Sequence, residues 1–171
     1  MKNKNTEKKW YAVYTFHRRE KSAMKHLISL GIEAYVPVLK KTKRYNRKIK
    51  HYEIPIISHY VFVNINREEF IKVLQVRDVI RFLKIGRELS SISQHEMDTL
   101  KKVTGELDEI NLRTFDPNEI GRKVEIIGGA LTGMKGKVLE DMGQNHLLVD
   151  FQNIGYSLCI QVPSVHLRAV V

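Results

Sequence analysis

The chain has 171 residues, 43% of them hydrophobic, and a formal net charge of +10. That is room for one ordinary domain or two small ones with a real core. No apolar run approaches the ~18 residues of a membrane span, and the opening MKNKNTEKK lacks the apolar segment of a secretory signal, so a cytoplasmic protein with no membrane contact is expected. A single cysteine, Cys159, lies inside the apolar SLCIQV. That excludes an internal disulfide or a cysteine-based metal site, and the thiol is read as a core residue. The whole positive excess sits before residue 118 and the remainder is neutral. The first part is therefore expected to meet a polyanion, most simply nucleic acid, and the second is not.

Residues 1–7 are expected to be disordered. KKWYAVYTF alternates and is rich in aromatic and β-branched residues, which predicts a strand over 9–16. In REKSAMKHLISLG the residues Ala23, Met24, Leu27, Ile28 and Leu30 form one helical stripe, and Gly31 stands where a left-handed cap is wanted. EAYVPVL and IKHYEIPI read as strands joined by the basic KKTKRYNRK, with Pro37 and Pro55 at strand ends. PIISHYVFVNI follows as a further strand. Its alternation puts Val61, Val63 and Ile65 on one face and Tyr60 and Phe62 on the other. Asn66 with Glu69, and Ser93 with Glu96, have the spacing of capping boxes and open a short second helix and a third helix. VIRFLKIG between these helices is a strand, and Met97, Leu100, Val103 and Leu107 share one face of the third helix. The order predicts an α+β fold in which helices pack on an antiparallel sheet. Residues 108–118 are polar, contain Pro117 and read as a linker. KVEII, GKVLED, HLLVDF, YSLCIQV and HLRAVV, punctuated by glycine, then predict a small β-barrel over 119–171.

Catalytic patterns are missing. The seven histidines show no His-x-x-x-His pair, no Gly-x-Ser-x-Gly occurs, and the acid pairs Glu68–Glu69 and Asp108–Glu109 fall in a helix start and the linker. The chain is accordingly expected to be no enzyme and to carry no cofactor or metal. Two features are better candidates for function. Lys40, Lys41, Lys43, Arg44, Arg47, Lys48 and Lys50 form a run with no acid among them. It reads either as a solvated hairpin tip or as a phosphate-binding element, and Tyr45 within it is placed to stack on a base. Tyr60 and Phe62 are either a second core face or a docking surface. The glycines Gly128, Gly129, Gly133 and Gly136 mark turns or close approaches around one hairpin.

Four stretches in this order, WYAVYT, REKSAMKHLISLGIEAYVP, PIISHYVFVNI and GRKVEIIGGALTGMKGKVLE, resemble the NusG family of transcription elongation factors. That resemblance implies an NGN domain over 8–107 and a KOW domain over 119–171. It implies that Tyr60 and Phe62, with Tyr14, Ile85, Met97 and Leu100, form an apolar patch for the clamp helices of RNA polymerase. Core packing is the competing reading, above all for Met97 and Leu100 on their helix stripe. Arg18, Arg19, His26 and Arg77 match positions that meet the non-template DNA strand in the RfaH branch. Gly128, Gly129, Gly133 and Gly136 fall in the KOW-like motif. The basic hairpin and the linker resemble the UpxY-type antiterminators of surface-polysaccharide operons, although the His-Thr-Thr motif of RfaH is missing from REEFIKVLQV. The implied function is non-enzymatic antitermination by a monomer at selected operons. Its partners would be RNA polymerase, non-template DNA or nascent RNA, and, through the KOW domain, the ribosomal protein NusE or Rho. A housekeeping NusG and an RNA-binding KOW protein of ribosome assembly are the alternatives. The strand-favouring HLLVDF and YSLCIQV predict that the KOW domain stays a barrel rather than refolding as helices.

Overall fold

The computed structural model describes residues 7–107, 110–139 and 146–170. The expectation for residues 1–7 therefore lies, Glu7 apart, outside the described residues, as does the end of GKVLED. The chain divides into two compact units, Met1–Val38 with Ile57–Asp98, and Leu39–Ile56 with Thr99–Val171. This division cuts across the contiguous 8–107 and 119–171 expected from sequence.

The first unit is built on an antiparallel sheet. Strands β1 (Lys9–Thr15), β2 (Glu33–Tyr35), β5 (Tyr60–Ile65) and β6 (Val79–Phe82) take the order β2-β5-β1-β6, and β9 (Ser91–Ile92) adds to β1. Helix α1 (Glu20–Ser29) and the short α2 (Phe70–Leu74) cover one face. Val61, Val63 and Ile65 of β5 join Val13, Ala23, Leu27, Val73 and Phe82 in that core, as the alternation predicts. The edge of Tyr11 meets Phe70 at 5.0 Å, and Phe70 lies 4.7 Å from Phe82, so aromatic packing ties α2 to the sheet.

Local signals place the helices. The Gly31 N–H donates to Ile28 O and the Ile32 N–H to Leu27 O, with Gly31 at φ +79°, which closes α1 in a Schellman turn. Asn66 and Glu69 form their reciprocal capping box over a 3-10 turn, Arg67–Glu69, that leads into α2. Ser93 and Glu96 exchange bonds of 2.9 and 3.2 Å at the start of α3 (Gln94–Glu106). The α1 stripe is shorter than expected. Ala23 and Leu27 are buried, whereas Ile28 and Leu30 are exposed where the helix reaches its cap.

Two further expectations change. VIRFLKIG is interrupted at Leu83: β6 belongs to the main sheet, while β7 (Lys84–Ile85) turns back at Gly86 to pair with β8 (Glu88–Leu89). The basic run is no loop. It forms most of β3 (Val38–Tyr45) and the start of β4 (Lys48–Pro55), a two-stranded ribbon turning at residues 46 and 47. Ribbon pairing satisfies the backbone while leaving charged side chains in water, so their charge does not oppose the strand.

In the second unit β11 (Arg122–Ile126), β12 (Lys135–Val138), β13 (His146–Phe151), β14 (Tyr156–Gln161) and β15 (Leu167–Ala169) are five strands of an antiparallel sheet. A sixth strand corrects the linker reading. Ile110–Thr114, β10, pairs residue for residue with β14 and gives the order β10-β14-β13-β12-β11-β15. Its alternate Ile110 and Leu112 follow the apolar residues Ile160 and Leu158 of β14, a two-residue pattern too short to stand out within a polar stretch. Cys159 is buried as predicted, and burial pushes its thiol up against a smaller opposing pull from Arg113. Among the described residues no helix is long and apolar enough to cross a membrane.

Candidate functional site

The register defines the second face of the first sheet. Tyr60 lies opposite Tyr14, Phe62 opposite Ala12 and Tyr35, and Trp10 opposite Asn64 and Ile92, so these side chains share the face turned away from α1 and α2. Most of it is closed. Phe62 is 0%, Tyr60 4% and Trp10 2% exposed. The indole N–H of Trp10 donates to Gln94 Oε1 at 2.9 Å, which fixes the start of α3 to β1.

The six residues expected to make a docking patch therefore divide. Tyr60, Phe62, Met97 and Leu100 are buried, Tyr14 is half-buried, and Ile85 is 53% exposed on β7. At the open end Tyr60 Oη donates to Tyr14 Oη at 2.7 Å, with the rings 4.6 Å apart. The Arg81 guanidinium stands 4.5 Å from the Tyr14 ring centroid, a cation–π contact. Arg81 escaped the sequence reading. Nothing local in the sequence marks it, because its place opposite Tyr14 is set by the register between two strands far apart in the chain.

A second cluster forms where three loops meet at one end of the sheet. Thr15 N–H donates to His59 O and Phe16 N–H to Asp78 O, which brings residues 16–19, the His59 turn and the Arg77–Asp78 turn together. Two buried carboxylates hold them. Glu20 Oε1 accepts the His59 N–H at 2.7 Å, and Asp78 Oδ2 accepts Ser22 Oγ at 2.6 Å. Two residues carry backbone strain here, Arg18 at φ +58° and His59 at φ +68°. His17 stacks on His59 at 5.4 Å, and His26 Nδ1 lies 4.0 Å from Asp78 Oδ2. Arg18, Arg19, His26 and Arg77, expected from sequence to act together, are all exposed around this frame. Arg19 precedes α1 at its N-cap rather than lying within it. Because the two acids are turned inward and bonded, the outward charge of this end is positive.

The ribbon differs. Lys40, Lys43, Arg44, Arg47, Lys48 and Lys50 are exposed and Lys41 half-buried, and Tyr45 is 54% exposed with Lys43 Nζ 5.2 Å from its ring. Thr42 Oγ1 bonds His51 Nδ1 at 2.9 Å, which puts these residues across from each other. Alternation then sets Lys41, Lys43 and Tyr45 on one face of β3, and Lys48, Lys50 and Tyr52 alternate along β4. Among the described residues no group of three or more His, Cys, Asp or Glu is arranged to hold a metal ion.

The motif glycines have separate reasons. Gly129 and Gly133 take φ of +82° and +87° in the β11–β12 connection. A Cβ on Gly136 would lie 2.5 Å from Leu148 O, and one on Gly128 2.7 Å from the His166 ring. Gly136 is inside β12 rather than in the turn.

The family model described as transcription termination factor nusG matches residues 8–101, more than half of the chain. Among solved structures, one titled for domain interaction in Thermotoga maritima NusG aligns with a TM-score of 0.56 at 20% identity, covering 96% of this chain and 98% of that one. A MjSpt4:Spt5 complex aligns with a TM-score of 0.31 at 16% identity, covering 94% of this chain and 97% of that one. No curated protein matches by sequence.

Proposed function

Because the chain belongs to the NusG family of transcription factors, we propose that it is a non-enzymatic elongation factor whose first unit docks on the clamp helices of RNA polymerase. The observation that carries this reading is the Tyr14–Tyr60 pair. Two aromatics on the face opposite the helix-covered core, bonded through their hydroxyls and with the Arg81 guanidinium over the Tyr14 ring, make an amphipathic landing point for a partner helix. Phe62, Met97 and Leu100 are buried rather than presented to a partner. A helix that reached Phe62 would first have to displace what buries it.

In this reading Arg18, Arg19, His26 and Arg77 engage the non-template strand, and the ribbon from Lys40 to Lys50 adds sequence-independent attraction for nucleic-acid phosphates. The second unit, with its KOW-like glycines Gly128, Gly129, Gly133 and Gly136, recruits NusE or Rho. The long exposed basic ribbon favours a specialised antiterminator of the RfaH or UpxY type, acting at selected operons, over a factor acting genome-wide.

The test is transcription by purified polymerase on a template with a pause site and a Rho-dependent terminator. Adding the chain is expected to shorten the pause and raise read-through. An unchanged pause together with no retention on core polymerase would refute the docking reading. Increased termination would instead assign the chain to the opposite regulatory direction. Mapping its occupancy along transcription units separates one or a few operons from a genome-wide factor.

A further inference from the structure

The strand β10 and the connection behind it hold the C-terminal sheet in a way that the rest of that sheet does not share. β10 meets the sheet only through β14, over the five pairs Ile110↔Ile160 to Thr114↔Tyr156. Beneath it, Ser157, Leu158, Cys159 and Ile160 are all buried. Without β10, an apolar strand would present a bare backbone edge, which is a ready template for another strand.

The chain then turns back over one face of the same sheet. Phe115 N–H donates to Gly155 O at 2.9 Å, Arg113 pairs with Glu119 at 3.0 Å, and Lys137 Nζ reaches Glu119 O at 3.4 Å. A Cβ on Gly121 would lie 2.8 Å from Leu139 Cδ2. Leu139 clusters with Leu148 and Cys159, which the register places on the face of Asn111 and Lys137. Residues 110–121 thus run along an edge and return across an adjoining apolar patch. Their grip is light. Past the ladder it consists of the Phe115 backbone bond, a part-exposed ion pair, one long bond and a close glycine contact, and Ile120 is 93% exposed.

We propose that the β14 edge, with the patch of Leu139, Leu148 and Cys159, is a docking site for an extended peptide of a partner protein, and that residues 110–121 are an internal strap occupying it. The strap displays the chemistry of the partner, a strand with apolar side chains two residues apart, as Ile110 and Leu112 are, so that main-chain bonds give affinity and alternate side chains give selectivity. This rests on the reading that the second unit recruits another protein, and it supplies the mode of recruitment. A tethered strap competes at an effective concentration on the order of millimolar, so a free strand of equal strength binds the intact chain weakly.

The test uses a dye-labelled synthetic peptide with the sequence of residues 110–121 and three full-length proteins: the native chain, Ile110→Ser with Leu112→Ser to peel the strap, and Asn111→Cys. The last puts a thiol opposite Cys159, where facing residues in antiparallel strands lie about 4.5–5.5 Å apart between Cα atoms and a disulfide is accessible. Half-saturation at or above about 1 mM is expected for the native chain. The peeled variant should bind at least ~10-fold more tightly, as removal of a millimolar competitor requires. The oxidised Asn111→Cys protein should not bind, and reduction should return it to native behaviour. Equal binding by native and peeled chains would overturn the proposal. So would loss of dispersed amide signals from the C-terminal sheet in the peeled variant, since β10 would then be integral to the fold, or a strand-exchanged dimer that takes up no peptide. Neither polymerase nor a cellular partner enters this experiment, so its failure leaves the recruitment reading standing, and failure to recruit any cellular protein leaves a positive peptide result intact.

Discussion

Two basic regions of this chain are built on different principles. Around the head of α1, Arg18, Arg19, His26 and Arg77 surround a frame fixed by the buried carboxylates of Glu20 and Asp78 and by two residues in left-handed backbone conformations. The β3–β4 ribbon carries more charge, seven Lys and Arg, and leaves most of it in water along a two-stranded element. Strain and buried acids are costly, and they persist only where the surrounding structure fixes a geometry. The first region is therefore suited to positioning a ligand and the second to attracting one.

Breaking the frame should have the largest effect. Glu20→Ala leaves the partly buried His59 N–H without its charged acceptor, which costs about 1.5–3 kcal/mol. The urea midpoint should fall by a matching amount and affinity for single-stranded DNA should fall with it, because the His59 turn no longer holds residues 15–18. Ser22→Ala, which deletes the 2.6 Å bond to Asp78, should cost less, about 1 kcal/mol, in the same denaturation experiment.

Neutralising the ribbon should separate charge from structure. With Lys40, Lys43, Arg44, Arg47, Lys48 and Lys50 changed to Gln, the unfolding free energy from urea denaturation should change by no more than about 0.5 kcal/mol per substitution, as exposed positions usually allow. The salt dependence of nucleic-acid binding should flatten by about 0.7–0.9 in log–log slope for each phosphate that the ribbon no longer neutralises. An unchanged slope would return the ribbon to solvated surface.

The smallest effect belongs to a carboxylate of a third kind, on the surface at a helix start. Burial raises the Glu69 carboxyl, but the Asn66 N–H and the Lys8 ammonium outweigh it and hold the group below its ordinary range. A depressed value in the folded state means that Glu69 stabilises the fold above the unfolded-state value and loses that contribution as pH falls through the folded one. Acid titration of stability should show a component below about pH 4.3 that Glu69→Gln removes, worth a few tenths of a kcal/mol.

Much of this architecture was legible in local patterns. Both capping boxes, the Gly31 turn, the Val61, Val63 and Ile65 face and the buried Cys159 follow from spacing of a few residues, because their partners are near in sequence or their type decides the matter. The misses share the opposite cause. The closure of Phe62 depends on elements outside β5, which alternation within β5 does not register. β10 is stabilised by β14, some 46 residues away along the ladder, and by little in its own polar sequence. The strand character of the basic run was obscured by its charge, and Arg81 acquires meaning only when the register sets it over Tyr14.

The docking claim is tested most directly by the equilibrium affinity of the full-length chain for core RNA polymerase, with Tyr14→Ala and Ile85→Ser combined. Both side chains reach solvent, so the fold should be retained, as amide dispersion would report. A loss of about 30-fold, corresponding to ~2 kcal/mol for a hot-spot aromatic, is the predicted result. Unaltered affinity in a folded double variant would contradict docking through the Tyr14–Tyr60 face.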